Sequence, residues 1–374
     1  MVIPVKRIQL LDFHVEKLGA ETGFFGEWEV PMRYKSSIEE HLIVRQACGV
    51  FDVSHMGRIK ISGKDVLDFI QYIYTKDLSK TKTGFMSGPT LALNQYARVK
   101  DDEMLYKIND EEWLVVVNAL VIDKMINYFK KIIEEKNYEV IIEDYTNKYA
   151  MIAVQGPKTV EIFEKINAGW VNDLKPLEFR MNEKINNINV FLISRSGWTG
   201  EDGFEIWGEP GQIARLIELL ISAGAKPVGI IARDTLRMEM GYVLGGHEYG
   251  EDPVKYPCAI SLRYGLGAIT WNKHGYVGEQ ALRACLKDGI RWIRMGIKMS
   301  KKHARIIPRE NTPVLIEGQY VGWVTSGAYS PVLKRGIAQA YIDSRYAIVD
   351  IPVTIQIRGK EYSGKIVDFP FINK

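Results

Sequence analysis

The chain has 374 residues, 46% of them hydrophobic, enough to bury a large core shared between two or three domains. Lys+Arg 49 against Asp+Glu 46 leaves a formal charge of +3, too balanced for nucleic acid to be the main partner. No stretch approaches the ~20 apolar residues of a membrane span, and the start lacks the basic flank and apolar run of a signal peptide, so a cytoplasmic protein is expected.

In chain order, residues 36–54 open with serines ahead of paired glutamates, a capping pattern that predicts a helix ending near Gly49. Residues 57–73 read as a strand, a turn at Ser62-Gly63 and a helix, and residues 149–166 repeat that order around a Gly-Pro turn. Between them, residues 98–118 predict a hairpin turning at Asn109-Asp110, and residues 121–146 a helix followed by a strand. Residues 185–209 look like two strands around a Gly-rich turn. Residues 210–241 hold one helix and a second starting near Ala232, with Asp234 as cap or first-turn acid. From about Ile293 the pattern changes to short strands separated by Gly and Pro, predicting a small all-β barrel or sandwich. The fold class is therefore α+β followed by β.

The predicted hairpin carries Asp101 and Asp102 side by side. Strand neighbours point to opposite faces, so one carboxylate should face inward and the other solvent. In "SGWTGEDGFEIWG", Glu201 stands among Gly197, Gly200 and Gly203. A carboxylate there could pair with the amidine-like edge of a pterin or guanine, although a solvated hairpin turn would use the same residues. The spacing is not a dinucleotide fingerprint. Arg233 could grip an anionic ligand bidentately or form an internal ion pair. His55 is expected to be buried and hydrogen-bonded. The six histidines stand apart without a metal-ligand set, and Cys48, Cys258 and Cys285 show no C-x-x-C spacing, so buried free thiols are expected.

Single motifs stop there, but their ordered combination resembles the tetrahydrofolate-dependent aminomethyltransferase family, the T-protein of the glycine cleavage system. The resemblance runs from about Phe24 to the C-terminus through "FFGEWEVPMRY", "SSIEEHLIVRQACGVFDVSHMG", "LNQYARVKDDEMLY", "YAMIAVQGPKT", "SGWTGEDGFEI", "GIIARDTLRMEMG", "YVGEQAL" and "GWVTSGAYSP". It implies a three-domain cloverleaf around a central folate pocket. Residues 1–285 would form the folate-binding core of two interleaved α/β lobes, and residues 286–374 the C-terminal β-barrel domain. It further implies Asp101 as the catalytic carboxylate, with Glu201, Arg233, Asn118 and Trp198 binding folate and Asp102 peripheral. The co-substrate would be tetrahydrofolate, without metal, and the partner the lipoylated H-protein; neither nucleic acid nor a membrane is expected.

The chain departs from the family pattern at several places. Pro89 stands where a tyrosine is usual, Ala97 and Arg98 replace two glycines, Trp198 replaces a tyrosine, and Ala268 replaces a tryptophan. The segment 246–271 is longer than usual, and the chain ends soon after "VDFPFINK". Two alternatives follow from related folate proteins: a tetrahydrofolate-dependent demethylase of a small methylated compound, or a non-enzymatic folate-binding protein of iron–sulphur assembly. Retention of Asp101 speaks against the first. "KHGYVGEQ", without the reactive cysteine of the assembly group, speaks against the second.

Overall fold

The computed structural model describes residues 5–265 and 267–373. Residues 1–4, the first of the start expected to lack a signal peptide, residue 266 of the longer segment and residue 374 of the tail lie outside the described residues. The chain divides into two compact units: the residues up to Thr90 with Asp102–Arg233, and Leu91–Asp101 with the chain from Asp234 onward.

Three sheets organise the first unit. The strand Gly49–Asp52 pairs with Ala150–Gln155 and with Lys226–Pro227 in a six-stranded sheet, whereas the next strand, Gly57–Ser62, pairs with Glu112–Val117 and Ile141–Asp144 in a five-stranded one. The polypeptide thus passes repeatedly between the two sheets. A three-stranded sheet forms from Lys6–Arg7, Trp28–Arg33 and Glu21–Phe25.

The helices follow from spacing and caps. Ser36 caps Ser37–Gln46, its hydroxyl accepting from the Glu39 amide, as expected. Pro210–Ser222 opens on its proline and buries Ile213, Leu216, Ile217 and Leu220, a single stripe at helical period laid on the six-stranded sheet. Ile122–Lys136 buries Ile122, Met125, Phe129 and Ile132 and stops at Asn137, whose left-handed backbone ends the helix.

The second unit contains a closed six-stranded barrel, the all-β region expected from about Ile293. It runs Trp292–Met299, Arg335–Asp343, Gln319–Ser330, Pro313–Ile316, Pro352–Ile357 and Lys360–Val367, the last strand pairing back onto the first. Ile297, Val324, Ala340, Ile355 and Ile366 fill its interior. A separate core of Leu91, Val99, Val243, Tyr249, Leu262 and Tyr276 ties the turn between the strands Met86–Leu93 and Val99–Lys107 to residues 243–282.

Two expectations are corrected here. The second helix of residues 210–241 spans Ile230–Met240, so Asp234 lies in its second turn. Asp234 is no cap; it pairs with Arg237 Nε at 2.7 Å. Cys258 and Cys285 are not free thiols but form a disulfide, and only Cys48 is a buried free thiol as expected. The turn Ala259–Leu262 packs against the helix Glu279–Asp288, so thiols 27 residues apart meet through tertiary folding that no local spacing reports.

Candidate functional site

In the first unit, Glu201 sits in the loop between the strands Ile188–Ser194 and Gly203–Gly208. The three glycines of this motif have different jobs. Gly200 adopts φ +74, which an L side chain resists. A Cβ on Gly197 would meet Gln155 Oε1 at 1.7 Å, and one on Gly203 would meet the Val154 carbonyl at 2.1 Å. Two of the three glycines are therefore required by close packing against the strand Ala150–Gln155.

That packing sets up a polar network. Gln155 donates to the Ser196 carbonyl (2.9 Å) and accepts from the Thr199 hydroxyl (3.0 Å), and Thr199 in turn accepts from the Glu201 amide (3.2 Å). Arg45 donates through Nη1 to the Thr199 carbonyl (2.7 Å) and to Glu201 Oε1 (2.9 Å). The Arg45 and Glu201 side chains are only 6% and 13% exposed, so this is a shielded ion pair and not a solvated turn. Arg45 went unrecognised in the sequence: it lies in the helix Ser37–Gln46, 156 residues from Glu201, with no local signal.

Arg233 lies in the first turn of Ile230–Met240. Its Nη1 is shielded from solvent and finds no hydrogen-bond partner among the described residues. Burial lowers the pKa of its guanidinium, opposed by the charge of Glu205. Glu205 accepts from the Ser196 hydroxyl at 2.6 Å, and burial raises its pKa. Contacts therefore link Arg45, Glu201, Thr199, Gln155, Ser196 and Glu205, and the Glu205 charge acts in turn on Arg233. Trp198 stands half-buried in the same loop. His55 is buried as expected, yet its Nδ1 has no hydrogen-bond partner among the described residues. Burial first, and the Arg233 charge second, push its pKa down to about 3.

Such a constellation suits a planar, polar ligand. A buried guanidinium with an unmet donor costs free energy unless an acceptor arrives. A glutamate held on one oxygen by Arg45 is fixed in orientation.

Asp101 and Asp102 are 1% and 8% exposed, so the expectation that one faces solvent is overturned. Alternation does hold: their side chains have different partners. In the first unit Asp102 accepts from Asn118 Nδ2 at 2.9 Å, and the same amide donates to the Asp102 carbonyl at 3.0 Å. Asn118 thus braces Asp102, which is far from peripheral. In the second unit Asp101 Oδ1 accepts from the Tyr249 hydroxyl at 3.2 Å. Both faces of the strand Val99–Lys107 are covered, and alternation predicts sides, not cover.

The turn before Asp101 explains one departure noted in the sequence. Asn94 Oδ1 accepts from the Tyr96 and Arg98 amides at 3.0 Å each, closing a tight Asn-centred turn. Ala97 is left with φ +54, a conformation glycine adopts more readily. The Arg98 side chain turns back to the Tyr96 carbonyl (3.0 Å). Pro89 lies buried in Met86–Leu93, and Ala268 in the core of the second unit. Arg237 and Glu239 are structural. Arg237 pairs with Glu248 at 3.3 Å, and Glu239 accepts from the Ser330 hydroxyl on the barrel.

Residues 10–262 match the family model of the GCVT N-terminal domain, and residues 294–373 match that of the glycine cleavage T-protein C-terminal barrel domain. The chain belongs to the glycine cleavage T-protein family. Among T-protein relatives, a probable aminomethyltransferase of Aeropyrum pernix is 53% identical over 370 residues, covering 99% of this chain and 98% of its own. An aminomethyltransferase of Oceanobacillus iheyensis is 36% identical, covering 95% of each chain. The crystal structure of the glycine cleavage system aminomethyltransferase T from Bartonella henselae superposes with a TM-score of 0.86 at 27% identity, covering 98% of both chains.

Proposed function

We propose that this protein is a cytoplasmic aminomethyltransferase of the glycine cleavage system, transferring the methylene of an aminomethyl group from lipoylated H-protein to tetrahydrofolate. One observation carries the reading. The chain shares the full length and both family domains of aminomethyltransferases while keeping, at Asp101, the buried carboxylate that the reaction calls for. Among the described residues no helix is long and apolar enough to cross a membrane.

In this reading the bonds from the transferred carbon to the lipoyl sulphur and to the amino nitrogen break, and two bonds to folate nitrogens form. The two folate N–H protons leave with ammonia and with the released thiol, so no oxidant enters the balance. Asp101 orients the attacking nitrogen, accepts its proton and offsets the positive charge that develops on the carbon. Glu201 takes the N–H edge of the pterin, and Arg233 supplies Nη1 to an acceptor on the same ligand. Trp198 and Asn118 complete the folate set, Asn118 through its hold on Asp102. Much of the remaining rate comes from holding folate against the lipoyl arm.

The test is release of ammonia and methylenetetrahydrofolate from aminomethylated lipoyl H-protein. Asp101→Asn keeps shape but removes charge and proton-accepting capacity, so turnover should fall roughly 10²–10⁴-fold with little change in folate affinity. Asp102→Asn should lower stability by about 1–2 kcal/mol through its Asn118 contact and leave turnover within a few-fold. The reverse pattern would exchange the two roles. Demethylation of a small methyl donor, with no action on the aminomethylated H-protein, would replace the reading altogether.

A further inference from the structure

We infer that Tyr249 is a positioning residue for Asp101, delivered by a loop built to bring its phenol to that carboxylate; the inference rests on the catalytic role proposed for Asp101. Tyr249 is 3% exposed and its hydroxyl donates to Asp101 Oδ1 at 3.2 Å. Buried carboxylates lose charge unless donors stabilise the ionised form, and a phenol is such a donor that keeps its own proton at neutral pH. The contact to Oδ1 restrains the rotation of the Asp101 carboxylate.

The loop around Tyr249 is shaped for this contact. The Gly246 amide donates to the Tyr249 carbonyl at 2.8 Å, closing a tight turn, and Gly245 bridges to Tyr249. A Cβ on Gly245 would lie 3.1 Å from the phenol oxygen and 3.2 Å from the ring carbon that bears it. Gly245 has no positive φ, so its lack of a side chain serves the phenol and not the backbone. Two more contacts lock the same loop to the Asp101 strand and its turn: Lys100 Nζ to Glu251 at 2.7 Å, and the Ala259 amide to the Ala97 carbonyl at 2.9 Å. Packing alone would be served by phenylalanine at position 249. The hydroxyl aimed at a buried carboxylate has a separate purpose.

The experiment measures kcat and folate KM of the full chain with aminomethylated lipoyl H-protein for Tyr249→Phe, Asp101→Asn and the double variant. Tyr249→Phe keeps the ring in its core and should lower kcat about tenfold, the equivalent of one hydrogen bond to a charged group, with folate KM unchanged. In the Asp101→Asn background the same change should cost nothing further, because the carboxylate it serves is gone. Gly245→Ala, which crowds the phenol, should reproduce the Tyr249→Phe loss even if the latter folds poorly. Full activity of Tyr249→Phe beside an inactive Asp101→Asn overturns the role of Tyr249 alone. An equal further loss in the Asp101→Asn background also overturns it, marking a structural effect. A fully active Asp101→Asn overturns the catalytic reading first, and this inference with it.

Discussion

Reducing the Cys258–Cys285 disulfide should destabilise the second unit by an amount its loop length sets. The bridge joins residues 27 apart. In the chain-entropy treatment, closing such a loop removes about 12 cal/mol/K from the unfolded ensemble, or roughly 3.5 kcal/mol at 25 °C. For a unit of roughly 150 residues, that corresponds to a midpoint some 10 °C lower on reduction. The bridge lies one residue from Ala259, whose amide holds the Ala97 carbonyl, so reduction loosens the loop that carries Tyr249 without removing any group from the site. Thermostability should therefore suffer far more than turnover at 25 °C. The assay is calorimetric unfolding with and without reductant, beside a Cys258→Ser/Cys285→Ser double variant. Thiol titration of the denatured protein should find one reactive thiol before reduction and three after. Three thiols before reduction, or an unchanged midpoint after it, would refute the reasoning. A bridge does not by itself place the protein outside the cytoplasm, since intracellular hyperthermophile proteins also carry disulfides.

Two further outcomes test the first unit. Glu201→Gln should weaken tetrahydrofolate binding by roughly 1–3 kcal/mol in calorimetry and also lower stability, because it leaves Arg45 shielded with a neutral partner; equal folate affinity would remove Glu201 from the site. His55 has its pKa pushed from 6.5 to about 3, so below pH 6.5 the unfolded chain takes up a proton that the native state refuses. Stability should therefore fall by about 1.4 kcal/mol per pH unit from roughly 6.5 down toward 3. Denaturant unfolding at pH 7, 6 and 5 should show that slope flattened by one proton in His55→Gln, and parallel curves would contradict it.

Much of the fold was legible because its signals are local. The Ser36 cap, the strand–turn–helix at 57–73 and the barrel strands from Trp292 each announce themselves within a dozen residues. The helix at Ile230 began two residues earlier than expected, since Asp234 invites a cap assignment that its ion pair with Arg237 explains better. What stayed hidden is what the tertiary fold joins: Arg45 with Glu201, Cys258 with Cys285, Tyr249 with Asp101. The glycine motif fits a ligand frame or a solvated turn when met in sequence, yet Gly197 and Gly203 are small because Gln155 and Val154 press against them.

The strand around Asp101 carries this distinction between direction and cover to its end. Asp101, Asp102 and Glu103 are all buried, three consecutive carboxylates that sequence alone would place partly in water. Each has a donor from a different element: Tyr249 for Asp101, Asn118 for Asp102, Tyr74 for Glu103. A phenol or an amide that donates to a buried carboxylate offsets part of its desolvation and restrains its orientation. For Asp102 and Glu103, with Asn118 and Tyr74 beside them in the same unit, orientation serves the fold of the five-stranded sheet. Asp101 instead belongs, with its donor, to the second unit, at the residue where the chain passes from one unit to the other. Asp101 shares the strand of its two neighbours, yet takes its donor from the loop that carries Tyr249, more than a hundred residues further along the chain.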